Sequence, residues 1–240
     1  MTNKIKSYKK EFDISYATGA YVVIEMLKSK PKFVEAVFIH SDFVDNCGLE
    51  DLCRKNKIPV IYSDKEFRLI SQRGNCYVFG VFRKYKAALL RSKPHVVLVN
   101  PFDMGNLGTI IRTAAGFNIN NVAIIMPSAD IFNPKTIRAS MGAVFRLNFQ
   151  LFDNFDEYAK TYREHNLFSF MTDGAISPDE CEPCLFSLIF GSETAGLDKA
   201  FENIGQSVKI PVTGNVDSLN LSIAAGIGMY VFAMKNKHMC

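Results

Sequence analysis

The sequence predicts an α/β protein of two modules, the second built on a mainly parallel sheet with helices on both faces. Three observations carry this. Strand-like and helix-like segments alternate along most of the 240 residues, as they do where helices cover a parallel sheet. The segment "HVVLVN", His95 to Asn100, passes through a glycine-containing stretch into a helical pattern, a strand, loop and helix unit. The charge also divides: 18 Lys and Arg stand against 10 Asp and Glu up to Lys93, and 10 against 14 after it.

In order along the chain, the first module reads as a helix-like "SYATGAYVVIEMLKSK", a strand-like "VEAVFIH", a polar helix around "LEDLCRKNK", then "PVIYS", "DKEFRLISQ" and "CYVFGVF". This is a small α/β unit. The basic, proline-ended "RKYKAALLRSKP" between two strands reads as the connection. The predicted boundaries are 1–88, a linker at 89–93, and 94–240. The second module has strands at "HVVLVN", "NVAIIMP", "RLNFQLF", "LFSFMT", "SLIFGS" and "SVKIPV", with helices between most of them. The final apolar segment, Ser218 to about Lys235, is expected to be buried on several sides, within its domain or against a second copy.

A composition of 48% hydrophobic and 22% charged residues is that of a globular protein with a sizeable core. A basic first module suits a polyanionic partner, set against the plainer reading of a solvated lysine-rich surface; the pI near 8.6 is below that of many dedicated nucleic-acid binders. The six cysteines follow no disulfide framework and "MTNKIKSYKKEFD" has no apolar signal region, so a reduced, cytoplasmic protein is expected. "LSIAAGIGMYVFAM" is shorter than the roughly 20 residues of a membrane span, and no membrane partner is expected. "CEPC", Cys181 to Cys184, lacks a second pair, and the four histidines have no ligand spacing, so no metal is expected.

Three segments carry chemistry. The first is "DMGNLGTIIRTAAGF", residues 103 to 117. Its two glycines read as a turn like that of a dinucleotide loop, with Asp130 at a plausible distance for a ribose contact, but the fingerprint needs a third glycine. Arg112 sits in an apolar run, where an unpaired guanidinium is costly to bury unless it snorkels to the surface. The second is "SLIFGSETAGLD", where Glu193 follows a buried-strand pattern and so lies where open α/β sheets bind ligands; an exposed acid or helix cap is the simpler alternative. The third is "IPVTGNVDSLNLSIAAG", in which Ser218, Asn220 and Ser222 exceed what one N-cap needs.

In this order, with "IRASMGAVFRL" between the first two, the segments resemble the SpoU/TrmH family of RNA 2'-O-ribose methyltransferases, in the SPOUT superfamily. The resemblance covers about residues 94 to 240. It implies a trefoil-knot α/β domain, a homodimer with residues of both copies near the active site, and transfer of a methyl group from S-adenosylmethionine to a ribose hydroxyl. It marks Asn106 and Arg112 in the first segment, Glu193 in the second, and Ser218 and Asn220 in the third as catalytic-site residues. It also implies that main-chain groups near Gly191, Ile210 and Leu219 hold the cofactor. Arginine is a poor base in water, which favours Arg112 as a phosphate clamp over a general base, with Asn106, Ser218 and Asn220 orienting it and Glu193 either holding the loop or pairing with it. The first module resembles the family's RNA substrate-binding domain, which implies a small α/β/α module, notably at "GAYVVIEML". Ribosomal RNA is the expected substrate, a tRNA enzyme the alternative, and a catalytically silent RNA-binding protein the alternative from another class.

Overall fold

In the computed structural model, which describes residues 5–70, 76–182, 184–214 and 216–236, the chain begins β1 (Ile14–Thr18), α1 (Ala20–Ser29), β2 (Val34–Ile39), α2 (Leu49–Lys55), β3 (Val60–Tyr62), α3 (Phe67–Ile70) and β4 (Val78–Arg83). It continues through β5 (His95–Val99), α4 (Met104–Gly116), β6 (Asn121–Ile125), α5 (Pro134–Ala139), β7 (Asn148–Phe152), α6 (Phe155–Thr161), β8 (Asn166–Phe170), β9 (Phe186–Phe190), β10 (Gln206–Val208) and α7 (Leu221–Asn236). Contacts group these into two compact units, Met1–Tyr85 with Asp130–Arg146, and Lys86–Ala129 with Leu147–Cys240.

The first unit is a four-stranded mixed sheet in the order β1-β4-β2-β3. Residues 15–18, which the helical pattern claims, form a strand instead. They pair antiparallel with β4, Ser15 opposite Phe82 and Thr18 opposite Phe79, and this distant partner overrides the local periodicity. Gly19 then turns the chain at φ 98, a conformation that side-chain-bearing residues rarely adopt, and α1 starts at the next residue. The segment 130–146, predicted to lie in the second module, makes its contacts here. Ser15 Oγ donates to Phe132 O at 2.5 Å, and the Phe82 ring meets Phe132 and Phe145 at 5.8 and 5.1 Å. Its buried Phe132, Ile137, Val144 and Phe145 are apolar surface that needs a core, and the first sheet supplies one.

The second unit is a six-stranded sheet in the order β10-β8-β9-β5-β6-β7, every neighbouring pair parallel. Its strands are the six read from the sequence. They are legible because strands covered on both faces are continuous apolar runs, and β6 and β9 are buried at every position. From β5 the chain moves to β6 on one side, whereas from β9 it moves outward to β10 on the other, so the carboxyl ends of β5 and β9 flank the point where the order reverses. Open α/β sheets bind their ligands at such a crevice.

The other end of these strands is closed by a buried polar cluster. The Tyr158 hydroxyl bridges His95 Nδ1 at 2.8 Å and Ser187 Oγ at 2.6 Å, and Ser187 Oγ meets His165 Nδ1 at 2.9 Å. The two Nε2 atoms face the carbonyls of Leu90 and Arg91 at 3.0 and 2.8 Å. The predicted linker is therefore tied down, with Leu89 buried in the core.

The apolar terminal segment forms α7. It buries Leu221, Ala225, Gly228, Met229 and Phe232, and a Cβ on Gly228 would sit 2.8 Å from the Phe170 ring, so glycine sets the approach of helix to sheet. Its opposite face is not covered: Ile223, Ile227 and Tyr230 are 54%, 36% and 54% exposed. Among the described residues no helix is long and apolar enough to cross a membrane. No group of three or more potential metal ligands occurs among them either; Cys181 is buried and Cys184 exposed, both as free thiols. His238 and Cys240 lie outside the described residues.

Candidate active site

Between β5 and α4 the chain turns through Asn100 to Asp103, not through the glycines. Asn100 takes the left-handed conformation at φ 51, and Asp103 caps α4, its Oδ1 accepting the Asn106 amide at 2.7 Å. An aspartate three residues before an amide is an ordinary N-cap signal, and it moves the helix start ahead of both glycines. Gly105 and Gly108 therefore lie inside the helix.

This turn meets the loop after β9. Glu193 accepts from the Phe102 and Asp103 amides, each at 3.1 Å, and from Asn106 Nδ2 at 3.3 Å. With its amide donor given to Glu193, Asn106 turns its Oδ1 outward, where Asn220 Nδ2 donates to it at 3.2 Å. Asn220 Oδ1 in turn accepts the Ser222 amide and hydroxyl at 2.8 and 2.7 Å, capping α7. The orientation of both side-chain amides follows from this chain of donors and acceptors. Residues from all three predicted segments thus join in one network at the reversal point of the sheet. The backbone amides of Phe102 and Asp103, which hold Glu193, are the components that side-chain reasoning missed.

Beside the network lies a cleft of about 610 Å³, at the carboxyl ends of β8, β9 and β10. Gly191, Ile210 and Leu219 line it, and so do Glu193, Ser218 and Asn220. Its size is that of a small-molecule site. Gly191 permits the wall: Ser192 and Gly196 exchange backbone hydrogen bonds at 3.2 and 3.0 Å, and a Cβ on Gly191 would lie 2.0 Å from the Gly196 carbonyl carbon. A cleft of this size can take a molecule as large as S-adenosylmethionine.

Arg112 stands apart. It is exposed on α4, six residues beyond Asn106 and so about 240° further round the helix, and it is not among the residues lining the cleft. The expectation that Asn106, Ser218 and Asn220 orient it is not met within one chain, because the two asparagines are taken up by each other, Glu193 and Ser222. Of the two roles expected for Glu193, the geometry is that of holding the loop.

A sequence profile described as the SpoU rRNA Methylase family matches residues 93–230. The chain belongs to this family. Its SPOUT-type α/β fold agrees with solved structures: the SpoU methyltransferase AviRb of Streptomyces viridochromogenes superposes with a TM-score of 0.82 at 19% identity, over 95% of this chain and 91% of that one, a likeness of fold. An S-adenosylmethionine-bound rRNA methyltransferase of Sinorhizobium meliloti superposes at 0.79 with 25% identity, over 95% and 88%. Among curated relatives, the 23S rRNA (adenosine(1067)-2'-O)-methyltransferase of Streptomyces azureus is 30% identical over 195 residues, 76% of this chain and 72% of its own. The Bacillus subtilis 23S rRNA (guanosine(2553)-2'-O)-methyltransferase is 33% identical over 132 residues. This SpoU-family chain spans only about half of that relative, 53% of its length.

Proposed function

We propose that this SpoU-family protein transfers the methyl group of S-adenosylmethionine to a ribose 2'-hydroxyl of ribosomal RNA. The observation that carries the reading is the Glu193–Asn106–Asn220 network beside the cleft, within the stretch the family profile matches. The cofactor, when bound near Gly191, Ile210 and Leu219, supplies an electrophilic methyl on a sulfonium. The chain's own contribution is positional. Glu193 fixes the turn after β5, Asn106 and Asn220 lock the two helix starts together, and Ser218 offers a hydroxyl at the cleft wall. Holding a hydroxyl and an electrophile in line is a large part of such catalysis.

Arg112 is the cationic group assigned to the RNA phosphate. Because it lies outside the network and the cleft lining of its own chain, the reading includes a homodimer in which Arg112 serves the cleft of a second copy. The uncovered Ile223, Ile227 and Tyr230 on α7 supply an apolar face for that contact. Light scattering is expected to give twice the chain mass, and a mixture of Arg112→Ala and Asn220→Ala proteins is expected to regain transfer that neither shows alone. The basic segment 1–88, with 130–146 packed on it, acts as the RNA-binding part, 89–93 as the connection and the rest of 94–240 as the methyl-transfer part, in the cytoplasm. Incubation with labelled S-adenosylmethionine and separate ribosomal and transfer RNA pools tests the reading. Label is expected in the ribosomal pool; label in tRNA alone favours the tRNA enzyme, and label in neither contradicts the proposal.

A further inference from the structure

The first unit carries 18 Lys and Arg against 11 Asp and Glu, and the two ends of its sheet differ in sign. Where β2 and β3 finish, carboxylates gather. Asp42 and Asp64 lie 3.5 and 3.6 Å from His40 Nδ1, Asp64 accepts the Ser41 amide at 2.9 Å, and Asp45 accepts the Leu49 and Glu50 amides at 3.1 and 2.9 Å.

At the opposite end, where β4 finishes and β1 and β2 begin, cations gather. Arg83 closes β4 opposite Ile14. On one flank the Lys84 ammonium donates to Lys10 O at 2.7 Å and lies 4.8 Å from the centre of the Tyr8 ring. On the other, Phe33 stacks on Tyr85 at 4.7 Å, with Lys30 5.4 Å from the Tyr85 ring and Lys32 5.0 Å from the Phe33 ring. Lys9, Lys10, Lys28, Lys32 and Arg83 are exposed. Two of the acids here are already engaged: Asp130 accepts the Tyr8 hydroxyl, and Glu35 lies 3.8 Å from Arg83 Nε. Glu11 and Asp13 also act on Lys84, and Glu25, one helical turn before Lys28, pairs with Arg146.

We infer that this end of the first unit, centred on Arg83 and flanked by Lys10 and Lys32, is the surface that holds the RNA backbone, and that the carboxylate-bearing end faces away from it. The inference rests on the rRNA methyltransferase reading and adds the orientation of the RNA-binding module. RNA phosphates bind where exposed cations release condensed counterions, and the carboxylates at the far end repel the same backbone. The stacked Phe33 and Tyr85 rings position Lys30 and Lys32 at low entropic cost, since cations over aromatic faces are held by the ring quadrupole.

The test uses the full chain, a 23S rRNA transcript and a salt titration of binding. Two double variants remove equal charge from opposite ends: Lys10→Gln with Lys32→Gln, and Lys65→Gln with Arg68→Gln beside the carboxylates. The first pair is expected to weaken binding and to lower the slope of log affinity against log salt by about 0.7 to 0.9 per lost contact. It is also expected to raise KM for RNA while kcat at saturating RNA and the melting temperature hold. The second pair is expected to leave the slope unchanged. Equal losses from both pairs, or wild-type slope and affinity in the first pair while methyl transfer persists, overturn the inference alone. A wild-type chain that neither binds nor methylates the transcript overturns the underlying reading and the inference with it.

Discussion

Glu193 and Asn106 are 87 positions apart in the chain, and their side chains meet at 3.3 Å. The same carboxylate accepts two consecutive backbone amides, those of Phe102 and Asp103, so it clamps the turn that launches α4. Replacing Glu193 with Gln turns an acceptor into a donor facing donors. The expected result is a loss of about 1–2 kcal/mol of stability and a fall in kcat of about 100-fold, the scale associated with a misplacement of about 1 Å. Thermal melts and single-turnover transfer measure the two effects. Wild-type kcat in this variant would remove the clamp from the account.

Asn220 has two separable duties. Its Oδ1 caps α7, and its Nδ2 holds Asn106. Asn220→Asp keeps the capping oxygen and loses the donor, so stability is expected to stay within about 0.5 kcal/mol, because Asp and Asn cap comparably, while transfer drops. Asn220→Ala loses both, and about 1 kcal/mol of stability goes with the cap. Equal transfer by the Asp variant and the wild type would show that the bond to Asn106 has no catalytic role.

The buried His95 gives a pH signature. Burial, the largest influence, pushes its pKa down to about 4, against the opposing effect of the Leu90 carbonyl; burial likewise lowers that of His165. A histidine neutral in the fold and free to charge when unfolded makes the unfolded state bind more protons. Its stability contribution is therefore complete above the unfolded value near 6.5 and is lost as pH falls from there towards about 4. For His95 alone the loss is up to about 3 kcal/mol. Urea melts across that range are expected to show the decline, and His95→Gln is expected to flatten it. A wild-type profile flat from pH 7 to 4.5 would contradict this.

Legibility followed the range of the interactions. The parallel strands were readable because His95–Val99 and Asn121–Ile125 are covered on both faces and so are written as unbroken apolar runs. β1 was not, because its strand character comes from β4, more than 60 residues away. The motif residues could be named from their order along the chain, but not their partners: Asn106 and Asn220 meet across 114 positions, and no local spacing encodes that. The turn at Asn100–Asp103 was open to reading, since Asp103 is a good N-cap, but the neighbouring glycines drew the helix start too late. The docking of 130–146 on the first sheet had no local signal, since its partners Ser15 and Phe82 are distant in the chain.

A ribose methyltransferase leaves its methyl group on a 2'-oxygen. The decisive measurement is transfer from labelled S-adenosylmethionine to a 23S rRNA transcript, followed by alkaline hydrolysis, which cleaves at every free 2'-hydroxyl and spares a 2'-O-methylated link. Wild-type protein is predicted to leave its label in an alkali-resistant dinucleotide, and Arg112→Ala to lower the rate by at least about 100-fold, on the scale of a lost electrostatic transition-state contact. Label released as single nucleotides, or undiminished transfer by the Arg112 variant, would contradict it.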